Sequence, residues 1–507
     1  MNEIALLLLL VCPLIGIFIL LVLPVGAKSG IKGVSFASAF LPLLLLLYMA
    51  WQYYVGTSFQ SFGLSWKWFQ FGNFATVDST LFTVQFELGV DGLSFVLLLL
   101  TSLVTVLAAI ASFKWISQAG KSYFILFLLL ELGMLGVFAA ENMLLFFVFF
   151  EMTLVSLFFL VGKWGGRMKE QAAFRFLIYN GLGSAVLLIV MMVIFAKTGT
   201  DNLAALQQIL PHGNSSTIAY MSNPLKYSLL LALLLAFGVK LPIVPLHSWM
   251  ISVHREAPIP VVMIHSGILL KIGAYGLIRF GLGLFPEQFS QMANAVLAIG
   301  LVNLLYGAFL ALIQKDVRSV LAYSSVSHMG IVLIGLGALQ EAGMQGAVIQ
   351  VVSHGLISAL FFFLAGCLYE RTSTLQFTEL GGLAKRMPRF SGFLLAAGMA
   401  SLGLPGTSGF IGEFLSFLGF FHANPIWGAI GTLALILAAV YVLRAVMGIT
   451  FGREKFRHEG LMKDLGVSEW IPSAILMAAI VGIGVFPSLL LHYAQPAITM
   501  IMTGLGG

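Results

Sequence analysis

Charge is what this sequence has least of. Charged residues fill 9% of its 507 positions, against about 25% in soluble domains. With 60% hydrophobic residues, the chain has too little polar side chain to coat a soluble surface, and it reads as an integral membrane protein. Cysteine is nearly absent. Cys12 and Cys367 both lie in apolar runs, so no disulfide framework or thiolate metal cluster is expected. There is no nucleotide-binding glycine loop after a strand and no haem signature. Redox chemistry, a bound cofactor and a bound metal are therefore not expected in this chain. Met1 to Leu23 lacks a basic leader and a small-residue cleavage site, so it reads as a first membrane span and not as a removed signal peptide.

What is present is apolar sequence in lengths of about 20 residues, enough to cross a bilayer. The runs predict an all-α chain with 14 membrane helices near 3–23, 31–51, 89–112, 122–139, 143–162, 173–196, 226–246, 258–278, 292–313, 317–338, 345–369, 389–419, 425–448 and 470–492. Ala140-Glu141-Asn142 reads as a tight turn between the fourth and fifth. The aromatic-rich stretch Gln52 to Phe86 reads as a loop at headgroup level. Loops after odd-numbered spans hold 20 Lys and Arg residues, and loops after even-numbered spans hold 4. One missed helix would scramble that alternation, so it supports the count. By the positive-inside rule the odd loops are cytoplasmic and both termini lie outside. The high pI thus reports topology, not nucleic-acid binding.

A short internal echo accompanies this pattern. Gly181-Leu-Gly-Ser-Ala185 resembles Gly355-Leu-Ile-Ser-Ala359, and Leu241-Pro242 resembles Leu404-Pro405, at offsets of 174 and 163 residues. Each match lies five spans further along, so the two copies would be inverted across the membrane, as in many secondary transporters.

Few titratable groups remain at membrane depth: Glu131, Glu151, Lys240, His265, Lys271, His328, His354 and Glu413, with His247 where the seventh span ends. An ammonium near the bilayer centre costs roughly 2.5–3.5 kcal/mol or more. Two such lysines within Leu231 to Gly276 therefore imply a use for the charge. His247 falls two turns beyond Lys240, on nearly the same helical face. His254 and Arg255 read as cytoplasmic loop residues. Pro242 and Pro245 break the seventh span, and Pro405 with Gly403, Gly406, Gly409 and Gly412 breaks the twelfth just before Glu413. Such breaks are tolerated where backbone is buried or lines a wet cavity. Carboxylates, imidazoles and amines spread over several helices are what a proton relay needs. The bland alternatives are a static Glu151 ion pair, a snorkelling Glu131, and packing roles for His328 and His354.

AFGVKLPIVPLHSW, HREAP, SGILLKIGAYGLIRF, LAYSSVSHMG, VSHGLISALFFFLAGCLYERT and LGLPGTSGFIGEF resemble the antiporter-like membrane subunits of respiratory complex I. The resemblance is strong from about Asp91 to Leu418. It implies 14 transmembrane helices with two inverted five-helix repeats: residues 1–113 before them, 114–290 and 291–450 as the repeats, and 451–507 as a cytoplasmic loop and last helix. It implies proton translocation in the bacterial inner membrane, with NADH, flavin, iron–sulfur clusters and quinone held by partner subunits. Glu151 matches the glutamate paired with Lys240. Lys271 matches the lysine linking the halves, His328 and His354 the central connection, and Glu413 the exit-side acid. Glu131 and His247 are supporting candidates. The chain departs from the family at Ile251-Ser252 and at His265, to which the resemblance assigns no role. A sodium/proton exchanger or membrane-bound hydrogenase subunit shares these motifs. A solute symporter and a structural scaffold are the remaining alternatives.

Overall fold

The computed structural model describes residues 2–71, 82–116, 120–212, 221–455 and 463–505. In lipid every backbone donor must be satisfied within its own segment, so the apolar runs become helices. In chain order these are α1 Asn2–Val22, α2 Lys28–Tyr54, a hairpin of β1 Leu64–Phe71 and β2 Phe82–Leu88, α3 Gly92–Trp115, α4 Lys121–Ala139, α5 Met143–Trp164, α6 Lys169–Thr198 and the short α7 Leu203–His212. Next come α8 Asn223–Lys240, α9 Ser248–Glu256, α10 Ile259–Leu282, α11 Pro286–Gln291, α12 Ala293–Ile313, α13 Val317–Gly337 and α14 Glu341–Thr372. The chain ends with α15 Pro388–Ser401, α16 Ser408–Ala423, α17 Pro425–Thr450, α18 Val467–Val485 and α19 Ser488–Gly504.

Among the described residues, 13 of these helices are long and apolar enough to cross a membrane. The expected span at 389–419 is the missing fourteenth, and it is present as two pieces, α15 and α16. Gly403 and Gly406 turn the chain between them at φ +67° and +91°, where a side chain would be strained. The chain is a multi-pass membrane protein.

Three expectations need correction. The stretch Gln52 to Phe86 is not all loop: antiparallel β1 and β2 pair Leu64 with Leu88 and Phe71 with Phe82, and Trp66 stacks on Phe86 at 4.5 Å between centroids. Residues 72–81 of that stretch, and Arg457 from the cation count, lie outside the described residues. The last span ends at Val485, because Pro487 cannot continue the helix, and a separate α19 follows. His254 and Arg255 belong to α9, and His254 is fully buried.

The helices that carry the chemistry are the enclosed ones. α10 and α14 are buried along their whole apolar windows, and α13 almost so. A charge within those windows therefore faces protein, not lipid. Two backbone clamps flank this core. The first joins the start of α5 to the end of α6, with Met143 N–H donating to Asp201 O and Leu203 N–H to Glu141 O, both at 2.9 Å. The second joins α13 to α14, with Val317 N–H donating to Leu375 O and Phe377 N–H to Lys315 O, both at 3.0 Å. Each donor and acceptor of the second lies 174 residues after its counterpart in the first. The caps match as well. Asn142 accepts from Leu145 N–H and Asp316 from Ser319 N–H, while Thr198 and Thr372 each bond the carbonyl two residues on.

Candidate functional site

Helix α8 stops at Lys240 because the next residues cannot carry it on. Pro242 and Pro245 lack the N–H a helix needs, and the freed groups are taken up by other helices. Asn303 of α12 donates to Pro242 O at 3.3 Å and accepts from Val244 N–H at 2.7 Å. Trp249 donates its indole N–H to Val239 O at 3.1 Å. The interruption is thus a built joint. α10 lies directly on it: a Cβ at Gly273 would sit 2.7 Å from Leu241 N and 2.8 Å from Phe237 O.

Lys240 is 2% exposed, and its ammonium lies over the Phe150 ring, 4.3 Å from the centroid. Such a contact contributes about 0.5–2 kcal/mol, less than the several kcal/mol that burying an ion costs. The paired glutamate is not in contact. Glu151 is within electrostatic reach, but among the described residues no ion pair joins them, and Glu151 Oε1 has no hydrogen-bond partner. His247 does not continue the Lys240 face, because the helix ends between them. It packs instead against the rings of Tyr306 and Tyr323. Glu131 does not snorkel: it is fully buried in α4 with both carboxylate oxygens unpartnered.

The second half of the site is continuous. Lys271 on α10 is fully buried. Its Nζ lies 2.6 Å from His354 Nδ1 and donates to Ser266 O at 2.6 Å. Residues His265–Leu269 form a π-turn, a widening of the helix often found at functional positions, and Ser266 O lies within it. The rings of His354 and His328 are 5.5 Å apart. His328 Nδ1 lies 3.5 Å from Glu413 Oε1 and 3.3 Å from Gln350 Nε2, and its Nε2 lies 3.4 Å from Ser401 Oγ. Between them is a cavity lined by Ser324, His328, Gln350, His354, Ser401 and Glu413, with about 10 Å³ of room for water centres. That is about the least space that holds one water. Gly403 keeps the acid's seat open, since a Cβ there would lie 2.6 Å from Glu413 Oε2.

Lys271, His354, His328 and Glu413 are therefore brought together, while Lys240 and Glu151 form a separate, looser station. Gln350, Ser401 and Ser266 escaped the sequence reading. Gln350 is one helical turn before His354, a spacing that could have flagged it. Just ahead of α3, Asp91 pairs with Arg279 of α10 at 2.6 Å. Burial alone would raise its carboxyl, but the Arg279 guanidinium and the Ser94 donors outweigh that and hold it below the usual range. Asp201 moves the other way: burial, with the Glu87 charge adding, pushes it up to about 6. Among the described residues no group of three or more His, Cys, Asp or Glu side chains is placed to hold a metal.

The chain has many relatives. NAD(P)H-quinone oxidoreductase chain 4 2 of Thermosynechococcus vestitus is 36% identical over 94% of this chain and 87% of its own length. NADH-quinone oxidoreductase subunit M of Rickettsia conorii is 37% identical over 81% of each. A chain of respiratory complex I from Thermus thermophilus matches over 100% of both chains, with a TM-score of 0.84 and 29% identity. Residues 140–439 match the family described as NADH:quinone oxidoreductase/Mrp antiporter, transmembrane. The chain belongs to that family.

Proposed function

We propose that this chain is the M-type (chain 4) proton-translocating membrane subunit of a bacterial NADH:quinone oxidoreductase. It acts as part of a translocase driven by electron transfer in partner subunits, which hold the flavin, iron–sulfur clusters and quinone. The observation that carries this is the buried line Lys271–His354–His328–Glu413, enclosed by α10, α13, α14 and α16. Such a line moves protons, and nothing in it supplies redox chemistry.

The mechanism is a switch at the Lys240 joint. With Glu151 in contact, the opposite charge holds the proton on Lys240; with Glu151 withdrawn from contact, as here, the Phe150 ring is the ammonium's near neighbour and the proton passes on more readily. Lys271 takes it up and hands it through His354 and His328 to Glu413, the cavity beside the two rings having room for one bridging water. The matched clamps 174 residues apart support two five-helix repeats at 114–290 and 291–450. They link spans five apart, so the copies are inverted. The cation alternation supports a bacterial inner-membrane setting with both termini outside. Neighbouring antiporter-like chains and lipid are the expected partners.

Lys240→Met in the assembled complex, reconstituted in sealed vesicles, tests this. NADH oxidation by quinone and proton uptake fall together if the relay operates. Wild-type values for both would make Lys240 a structural charge.

A further inference from the structure

One buried pair of titratable side chains lies outside the line described above. His254 of α9 and His265 of α10 are 0% and 1% exposed, with His254 Nε2 2.8 Å from His265 Nδ1. The two outward nitrogens, His254 Nδ1 and His265 Nε2, are buried and have no hydrogen-bond partner. Aromatic rings enclose the pair: Phe362 lies edge-on to His254 at 5.2 Å, and Trp249 edge-on to His265 at 5.5 Å. A neutral imidazole has one donor and one acceptor nitrogen. Whichever ring donates across the 2.8 Å contact, one donor and one acceptor are left facing outward. Leaving a buried polar group unpaired is unfavourable, and this pair has two. A packing role would be served better by apolar side chains, so the arrangement calls for a use.

The surroundings indicate the direction of that use. The residues just after His254, from Arg255 to Ile259, line a cleft of about 640 Å³ on the cation-rich face, with Lys114, Arg318 and Glu370 on its walls. At the other end, Trp249 packs on His265 and ties itself to Val239 O, beside Lys240. Lys240 and Lys271 both lie within electrostatic reach of His265, and Arg318 and Lys271 within reach of His254.

We propose that His254 and His265 form a two-imidazole proton wire that loads Lys240 from the cation-rich face. A proton from cleft water arrives at His254 Nδ1. The proton on His254 Nε2 crosses to His265 Nδ1, and the proton on His265 Nε2 leaves to the neutral amine of Lys240, directly or across one water. One proton enters, one leaves, and no electrons move. Both rings end in the opposite tautomer and are reset by turning over about their Cβ–Cγ bonds. The proposal rests on the relay reading of Lys240, and it gives a role to His265.

The test uses His265→Gln, His265→Leu and Lys240→Met in the assembled complex in sealed vesicles, following proton uptake during NADH oxidation. Gln can keep a hydrogen bond to His254 and fill similar volume, but it cannot relay a proton. The wire predicts that Gln and Leu each lower the rate of proton uptake at least twofold at wild-type levels of assembly. Should the Leu variant not assemble, the Gln variant decides. Wild-type uptake by His265→Gln, with Lys240→Met inactive, would overturn the wire and leave the relay standing. Normal uptake by Lys240→Met would overturn the relay reading itself, and the wire with it.

Discussion

Glu469 and Glu131 are equally buried, at 1% and 0% exposure, yet their surroundings are opposite. Glu469 of α18 accepts from Lys114 Nζ at 2.8 Å, from both terminal nitrogens of Arg371 at 2.8 and 2.6 Å, and from Gly466 N–H at 2.9 Å. It ties α18 to α3 and α14 at one end of the bundle. Among the described residues Glu131 has no partner for either oxygen, Lys240 has the face of a ring and no carboxylate in contact, and Lys271 has a carbonyl and an imidazole. Burial alone therefore does not separate structural charges from working ones. Satisfaction does. A carboxylate held by two cations has no reason to exchange a proton, whereas a lysine with no carboxylate in contact gives one up more readily.

The sharpest way to break the comparison is to remove the satisfied group. Glu469→Ala leaves Arg371 and Lys114 with the exposed carboxylate of Glu370, at 3.8 and 2.9 Å, in place of a buried one, and breaking a buried pair costs about 3–5 kcal/mol. The complex should melt at a clearly lower temperature, while proton uptake per assembled complex stays unchanged. Lys240→Met does the reverse. Replacing an under-compensated buried ion should leave thermal stability equal or raise it by roughly 1–3 kcal/mol, while proton uptake is lost.

Most of the fold was legible in the sequence, because lipid forces hydropathy and secondary structure to agree. The length of each apolar run and the cation alternation marked the crossings, and Ala140-Glu141-Asn142 is a turn with Asn142 capping α5. What escaped was amphipathic or non-local. The alternation of Phe82, Val84, Phe86 and Leu88 with Thr83, Gln85 and Glu87 carried a strand signal inside a stretch read as loop. α19 was absorbed into the span before it, across Pro487. His254, with Arg255 and Glu256 after it, has the local sequence of a loop. Its burial depends on Phe362 and His265, which lie far along the chain or on another helix. The candidate site was legible in its residues and not in its pairing. The open gap between Glu151 and Lys240 is a matter of geometry, as are the parts played by Gln350 and Ser401.

A smaller effect is expected at the exit-side acid. Gly403→Ala places a Cβ against Glu413 Oε2 on backbone at φ +67°, which should cost about 1–2 kcal/mol and slow proton uptake by displacing Glu413 from His328. Matched melts and uptake rates would show both. A stability loss with uptake unchanged would mean that the 3.5 Å Glu413–His328 contact is not needed.

The smallest effect lies outside the membrane, at Asp201. Its carboxyl is pushed up to about 6 from an unfolded value of about 3.9, so the folded chain holds a proton that the unfolded chain releases between those values. The group therefore costs stability as pH rises through that window, and the cost is fully present above about 6. Asp201→Asn should raise the melting temperature at pH 8 and leave it unchanged at pH 4. Equal gains at both values would put the effect down to packing instead.

The most direct test of the satisfied-versus-unsatisfied distinction sets Glu151→Gln beside Glu469→Ala. Melting temperature and proton uptake per NADH oxidised would be measured on the same preparations. The account predicts that Glu151→Gln keeps its melting temperature and loses uptake, and that Glu469→Ala keeps uptake and loses melting temperature. If Glu151→Gln instead pumps at the wild-type ratio, or melts as early as Glu469→Ala, the unpartnered charges are part of the scaffold and the account is wrong.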